Sequence, residues 1–213
     1  MYLPTHFAES RPQVLRDFVA AHPLGLLVTQ SRAGGIDANS VPFFLDPADD
    51  ATPGVLRAHV ARANPLWKEA RDDVDALVVF QGPHGYVSPG WYPSKAEHGK
   101  VVPTWNYVMV QARGRLRAIE DKAWLRDFVG RLTDRHEGGR PAPWAIGDAP
   151  ADYIETMLGA IVGIEIALTS LVGKWKVTQN RSADDRAGVV EGLLREGGDA
   201  ALAAEVRAPG AKA

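Results

Sequence analysis

The chain has no cysteine. That excludes disulfides, iron–sulfur clusters, thiolate zinc sites and a cysteine nucleophile, and it agrees with a cytoplasmic location. The N-terminal "MYLPTHFAESRP" has no basic segment followed by an apolar run, so it does not read as a secretory signal. Long apolar runs are also missing. The nearest is "MLGAIVGIEIALTSLVG", which carries Glu165 and alternates toward its end, as a buried strand does and a membrane helix does not. No G-x-G-x-x-G follows a strand, and there is neither a phosphate-loop signature nor a G-x-S-x-G elbow. None of the six histidines forms an H-x-H or H-x-x-x-H pair, so a zinc site would have to be assembled from distant positions. The net charge of −2 gives no overall attraction to nucleic acid or to anionic membranes.

What is present is an ordinary globular composition, 46% hydrophobic and 23% charged over 213 residues. "SRPQVLRDFVAAHPLG" predicts a first helix with Ser10 as N-cap and Val14, Leu15, Phe18 and Val19 on one stripe. "LGLLVTQ" and "IDANSVPFFLD", separated by a glycine turn, predict a hairpin. "GVLRAHVA" and "DALVVFQ" predict further strands, with a short helix opened by Asn64 and Pro65 between them. In "YVMVQARGRLRAIE", Val108, Val110, Ala112, Leu116 and Ala118 share one face, and Gln111, Arg113, Arg115 and Arg117 share the other. Trp124, Leu125, Phe128, Val129 and Leu132 mark an amphipathic helix, a short helix follows it, and Val162, Ile164, Ile166 and Leu168 mark the last long strand. Ser182 opens one or two C-terminal helices. With no βαβ rhythm, this order predicts a mainly β, antiparallel barrel with peripheral helices, an α+β fold. The expected division is a barrel domain over 1–181 and a helical appendage with a frayed tail over 182–213.

Four stretches carry candidate chemistry. In "RAHVARANP" a strand end runs into a helix start, where backbone N–H groups, His59 and Arg62 would suit a phosphate. Equally, Asn64 caps and Arg62 is solvated. Pro42 within "ANSVPFF" removes a ladder donor, so Asn39, Ser40 and Val41 would face a flat polar ligand or simply form a guarded edge. In "KWKVTQNR", Lys174 and Lys176 point one way and Trp175 the other, giving either an anion contact or a solvated lysine face. Arg113, Arg115 and Arg117 would meet nucleic-acid phosphates or pair with partners such as Glu165. The stretch Ser88–Tyr107 holds three prolines, two tryptophans and two tyrosines. Read as a loop, it exceeds the ~12–15 residues beyond which loops are usually functional or disordered, and its composition favours order.

"MYLPTHF", "RAHVARANP", "GYVSPGWYPSK…KVVPTWNY" and "KWKVTQNR" together closely resemble the PaiB-type negative transcriptional regulators, FMN-binding relatives of the pyridoxamine-phosphate-oxidase-like split barrels. The resemblance extends to about Leu194. It implies a six-stranded split β-barrel, a homodimer, FMN in a groove between protomers and a regulatory role. The implied cofactor contacts are Asn39, Ser40 and Val41; His59, Val60, Arg62 and Asn64; Trp91, Thr104, Trp105 and Asn106; and Lys174, Lys176 and Gln179. "SPGWYPS" and "PTWNY" would bracket the groove, with "KAEHGK" as an exposed, mobile tip. The family's oxidase relatives carry an Arg/Lys-rich phosphate turn, where this chain has Ala63-Asn64-Pro65. No helix-turn-helix is recognisable, so direct DNA contact is the weaker expectation. Two other function classes stay open. One is an FMN-dependent oxidoreductase with Trp91, Tyr92, Trp105 and Asn106 walling its pocket. The other is a haem-binding barrel with His59, His84 or His98 as axial ligand.

Overall fold

The computed structural model describes residues 1–46 and 53–211; Lys212 and Ala213 of the expected frayed tail lie outside the described residues. The strands are β1 (Ala8–Glu9), β2 (Leu24–Gln30), β3 (Ile36–Pro42), β4 (Phe44–Asp46), β5 (Val55–Ala61), β6 (Ala76–Val87), β7 (Thr104–Ile119) and β8 (Ile161–Lys176). The helices are α1 (Pro12–Ala21), α2 (Leu66–Glu69), α3 (Ser94–His98), α4 (Lys122–Glu137), α5 (Ala151–Gly159), α6 (Ala183–Arg195) and α7 (Ala200–Arg207). The strands form one sheet in the order β3-β2-β6-β7-β8-β5-β4, with β1 added to β8 at Gly173 and Lys174. The pairs β2–β3, β4–β5 and β5–β8 are antiparallel.

The predicted return strand "IDANSVPFFLD" is in fact two strands. β3 pairs with β2 and β4 pairs with β5, at opposite ends of the strand order, although only Phe43 separates them in the chain. Pro42 cannot donate to a ladder, and Phe43 turns inward, 3% exposed, with its N–H on the Pro23 carbonyl. This handover leaves β3 with a backbone edge that no strand among the described residues covers. The α+β, mainly antiparallel expectation therefore holds.

The chain divides into two compact units joined by the continuous strands β6, β7 and β8. One comprises Met1–His22, Phe80–Gln111 and Leu171–Ala213; the other comprises Pro23–Val79 and Ala112–Ser170. α6 and α7 thus fall in the same unit as α1. In the first unit the Phe18 ring of α1 meets Trp175 edge-on, 5.3 Å between centroids, and the Trp175 indole N–H donates to Glu205 of α7 at 2.8 Å. α1 starts one residue later than predicted. Ser10 makes no cap; instead the Glu9 carboxylate accepts the Arg11 N–H at 2.8 Å. Ser182 does cap α6, accepting from Asp185 N–H at 3.2 Å.

In the second unit, Leu27, Val41, Leu56, Ala58, Val60, Val162, Ile164 and Ile166 are buried, as period-2 alternation requires. A second cluster, Leu125, Ile154 and Leu158, holds α4 and α5 together with Trp124 and Ile161. Gly163 lies directly under the Trp124 ring, where any Cβ would overlap it. Among the described residues no helix is long and apolar enough to cross a membrane.

Candidate functional site

The candidate residues fall into two groups, one in each unit. In the second unit the open edge of β3 and the turn after β5 come together. Asn64 Nδ2 donates to Asn39 Oδ1 at 3.1 Å, while Asn64 Oδ1 accepts the Leu66 N–H at 2.9 Å. Asn64 therefore holds its own turn, as Asx side chains do, and also ties that turn to β3. Ser40 is exposed and Val41 buried, so the two point to opposite faces of β3.

His59 and Val60 likewise lie on opposite faces of β5. Val60 is buried with Leu56 and Ala58, whereas His59 shares its face with Val55 and Arg57. The His59 ring lies edge-on to Phe128 of α4, 6.2 Å between centroids, and its Nδ1 is buried without a partner. Burial pushes this imidazole below its ordinary value.

Arg62 is committed locally. Its Nε donates to the Gly159 carbonyl at 2.7 Å, Nη2 to the Ile161 carbonyl at 3.1 Å and Nη1 to Glu120 at 2.6 Å. Its bond to the Gly159 carbonyl puts a cation at the C-terminus of α5, where the helix dipole favours one. α2 is a single turn, so its dipole adds little to a phosphate seat.

The arginine stripe is partly cancelled within its own unit. Arg115 pairs with Asp75 at 3.1 Å and Arg117 with Glu165 at 2.7 Å; Glu165 also receives Arg57 at 3.0 Å. Arg57 and Arg131 both reach Asp46. These pairs follow the structural reading of the stripe.

In the first unit, Ser88–Tyr107 is ordered, as its composition predicted. The Ser88 hydroxyl accepts the Gly90 N–H at 3.1 Å and caps a 3-10 turn over Pro89–Trp91. Ser94 donates its hydroxyl to Asp185 of α6 at 2.9 Å. Trp91 lies on α6 where Gly188 and Gly192 leave room for it, and its indole N–H donates to Glu196 at 2.9 Å. An open cleft of about 550 Å³ adjoins it, lined also by Tyr92, Lys95, Glu191 and Arg195. Residues 95–100 are all exposed, as expected for a tip. The half expected as loop before Tyr107 is already β7 from Thr104.

Strand alternation then separates Trp105, 51% exposed, from Asn106, 1% exposed. Among the described residues neither Nδ2 nor Oδ1 of Asn106 has a hydrogen-bond partner. Lys176 Nζ donates to Thr104 Oγ1 at 2.6 Å and to the Trp105 carbonyl at 2.5 Å, and Lys174 Nζ donates to the Tyr2 carbonyl at 2.9 Å. Gln179 folds back to hold the turn after β8, accepting the Val177 N–H at 2.9 Å and donating to the Trp175 carbonyl. In that turn Thr178 sits at φ 65°, a conformation a β-branched residue adopts only when its surroundings impose it. Of the histidines, His84 Nδ1 accepts the Trp105 indole N–H at 3.3 Å and His98 Nδ1 accepts the Lys100 N–H at 3.0 Å.

Sequence reasoning missed Tyr2, Tyr86 and Tyr107 and read His84 only as a candidate haem ligand; these four residues surround the two lysines and Trp105. Alternation places Trp105 and Tyr107 on one face of β7, but only strand pairing brings β6 and β8 beside them.

Fold and site together define a split-barrel protein with an open edge on its terminal strand β3 and, among the described residues, buried polar groups without a hydrogen-bond partner. Residues 1–170 match the family described as "Putative FMN-binding domain". The chain belongs to this family, as its motifs indicated. It is 35% identical to an uncharacterized protein of Aspergillus fumigatus over 92% of each chain. To the protease synthase and sporulation protein PAI 2 of Bacillus subtilis it is 31% identical, over 92% of this chain and 90% of that one. The fold is shared with the FAD and heme binding protein of Mycobacterium smegmatis at TM-score 0.57 and 20% identity, over 84% of this chain and 78% of that one.

The residues present fit a flavin in part. In the second unit the uncovered strand edge suits the in-plane donors and acceptors of a flat heterocycle. The turn after β5 fits a phosphate less well, because its one arginine is already bound to two carbonyls and a carboxylate.

Proposed function

We propose that this protein binds FMN as a cytoplasmic homodimer, with the flavin at the protomer interface, and acts as a flavin-dependent sensor or regulator. The observation that carries the reading is the open backbone edge of β3, tied through Asn39 and Asn64 to the turn after β5, within the span that matches the FMN-binding family. The Phe43–Pro23 and Ser31–Gly35 bonds fix the ladder, so Asn39 and Val41 spend their backbone groups on β2, and it is Ser40, with Ala38 two residues before it, that turns N–H and C=O outward to a planar ring edge. Asn64 would reach the ribityl chain with the one amide N–H that Asn39 does not take. The bound flavin would supply the redox chemistry.

A second copy has a natural seat. On the β2–β3 hairpin, Leu24 faces Pro42, Leu26 faces Ser40 and Gln30 faces Ile36. Leu24, Leu26 and Ile36 are 63%, 42% and 73% exposed. An apolar sheet face of this kind favours association over solvation. The regulatory role draws support from the motifs that resemble the PaiB-type regulators; the Bacillus subtilis relative is named for protease synthesis and sporulation.

Titrating FMN into purified protein and following flavin fluorescence tests the cofactor. Quenching with saturation is expected, and an unchanged signal would overturn the proposal. Sedimentation of the wild type against Leu26→Asp tests the dimer, where a monomeric wild type is the adverse result. Bleaching of bound flavin by NAD(P)H at a catalytic rate would move the protein from sensor to oxidoreductase.

A further inference from the structure

On the outward face of the first unit, three strands line up side chains of complementary kinds. β6 contributes His84 and Tyr86, β7 contributes Trp105 and Tyr107, and β8 contributes Lys174 and Lys176, each pair two residues apart and so on one face. Lys174 is only 7% exposed. Its Nζ lies 5.4 Å from the ring centroids of both Tyr2 and Tyr107, and the Nζ of Lys176 is 5.9 Å from Tyr107. Their hydrogen bonds go to neutral oxygens, those of Tyr2, Thr104 and Trp105. Among the described residues neither lysine is in an ion pair.

Two neighbouring ammonium groups, one almost fully buried and neither paired with an anion among the described residues, are costly in a folded protein unless something anionic arrives. Burial, and then the charge of Lys174, push the Lys176 ammonium below its ordinary value. An ammonium has three donors, so Lys174 has two to spare and Lys176 one. Beside them the Trp105 indole is 51% exposed yet held in place. Its ring lies beside that of His84, 26° from parallel with 6.1 Å between centroids, donates its N–H to His84 Nδ1, and meets Tyr86 edge-on at 6.4 Å. A large aromatic ring fixed by its neighbours and open on one side is a stacking platform.

From this juxtaposition we infer that the face binds an anionic aromatic molecule, a phosphate or carboxylate carried on a planar ring. The anion lies against Lys174 and Lys176 and the ring against Trp105. FMN itself has this chemistry, and so does a separate aromatic acid serving as substrate or signal. Only the FMN source rests on the flavin reading above.

Phenyl phosphate is the probe, titrated into the full-length cofactor-free protein and followed by tryptophan fluorescence and phosphorus NMR, with inorganic phosphate alongside. Phenyl phosphate should bind more tightly than inorganic phosphate. Lys174→Met and Lys176→Met should each weaken it about ten- to a hundredfold, the loss of one charge-assisted hydrogen bond. Removing an uncompensated charge should leave thermal stability equal or higher, which separates lost binding from lost fold. Trp105→Ala, at an exposed position, should weaken phenyl phosphate and leave inorganic phosphate unchanged.

If the lysine substitutions weaken FMN but not riboflavin, the anion is the cofactor's phosphate. If FMN-loaded protein still binds phenyl phosphate through the lysines, the ligand is a separate acid. A protein that never takes up FMN but binds phenyl phosphate in this way fails the flavin reading and keeps this one. Equal affinity for phenyl phosphate and inorganic phosphate, or unchanged binding in both lysine variants, overturns the inference.

Discussion

Replacing Asn106 by Val separates stability from binding. Asn106 stands on the inward face of β7 in line with Val108 and Val110, 1% exposed, with both ends of its amide unpartnered. In mutational data, burying an amide-like group without a hydrogen bond costs about 1–3 kcal/mol. Valine is close in size, suits a strand and has no polar atom to satisfy. Asn106→Val should therefore stabilise the cofactor-free protein by about 1–3 kcal/mol, raising Tm by roughly 2–4 °C per kcal/mol for a chain of this length.

If the amide is unsatisfied because it awaits a ligand, the same change should weaken FMN binding by the worth of one or two neutral hydrogen bonds, about 1–3 kcal/mol or roughly five- to a hundredfold. The assay is thermal unfolding without cofactor, paired with flavin-fluorescence titration. A variant less stable than the wild type would refute the premise that the amide lacks partners. A variant that is more stable but binds FMN equally well would place Asn106 outside the site.

Arg57→Met should cost about 1–3 kcal/mol in chemical denaturation, because it strips a partner from Asp46 and from the largely buried Glu165. Arg117→Ala, whose side chain is 71% exposed, should cost less than about 1 kcal/mol; equal losses would contradict the burial argument. Gly192→Ala would ordinarily favour a helix by about 0.5–1 kcal/mol. Here the new Cβ overlaps the Trp91 ring, so the sign should reverse to a loss of about 1–3 kcal/mol, with a red shift in tryptophan emission. His59 is held neutral by burial, so as pH falls below 6.5 the unfolded chain takes up its proton first. Its stability contribution is thus complete above that pH and declines below it. His59→Phe should make the fall in Tm between about pH 7.5 and about pH 5.5 shallower but not flat, because His22 is displaced in the same direction by burial; an unchanged slope would refute this.

Particular residues show where local reading sufficed and where it did not. Alternation in "YVMVQARGRLRAIE" and "IVGIEIAL" assigned inner and outer faces correctly, because a strand's side-chain period is fixed by its backbone. The same rule separated Trp175 from the two lysines. "IDANSVPFFLD" misled because Pro42 and Phe43 look like an irregularity within one strand. That they mark the passage between the two ends of a closing sheet depends on partners far away in sequence. Arg62 looked like a phosphate donor, since nothing nearby in sequence reveals the carbonyls of Gly159 and Ile161 or the Glu120 carboxylate that engage it. Ser88–Tyr107 was recognised as ordered from its aromatic and proline content, yet its anchor, the glycine pair of α6, lies about a hundred residues further on.

By itself, then, the sequence determined the family, the antiparallel α+β class, the faces of the long strands and the residue types able to hold a flat anionic ligand, because periodicity and motif are local properties of the chain. Only the tertiary structure decided which of those residues are still free to bind. Whether a lysine lacks a counter-ion, an amide a partner or a strand edge a neighbour depends on non-local contacts. Those contacts turned Arg62 and Gln179 inward to hold turns, and left Asn106, Lys174, Lys176 and the edge of β3 with bonding capacity unused.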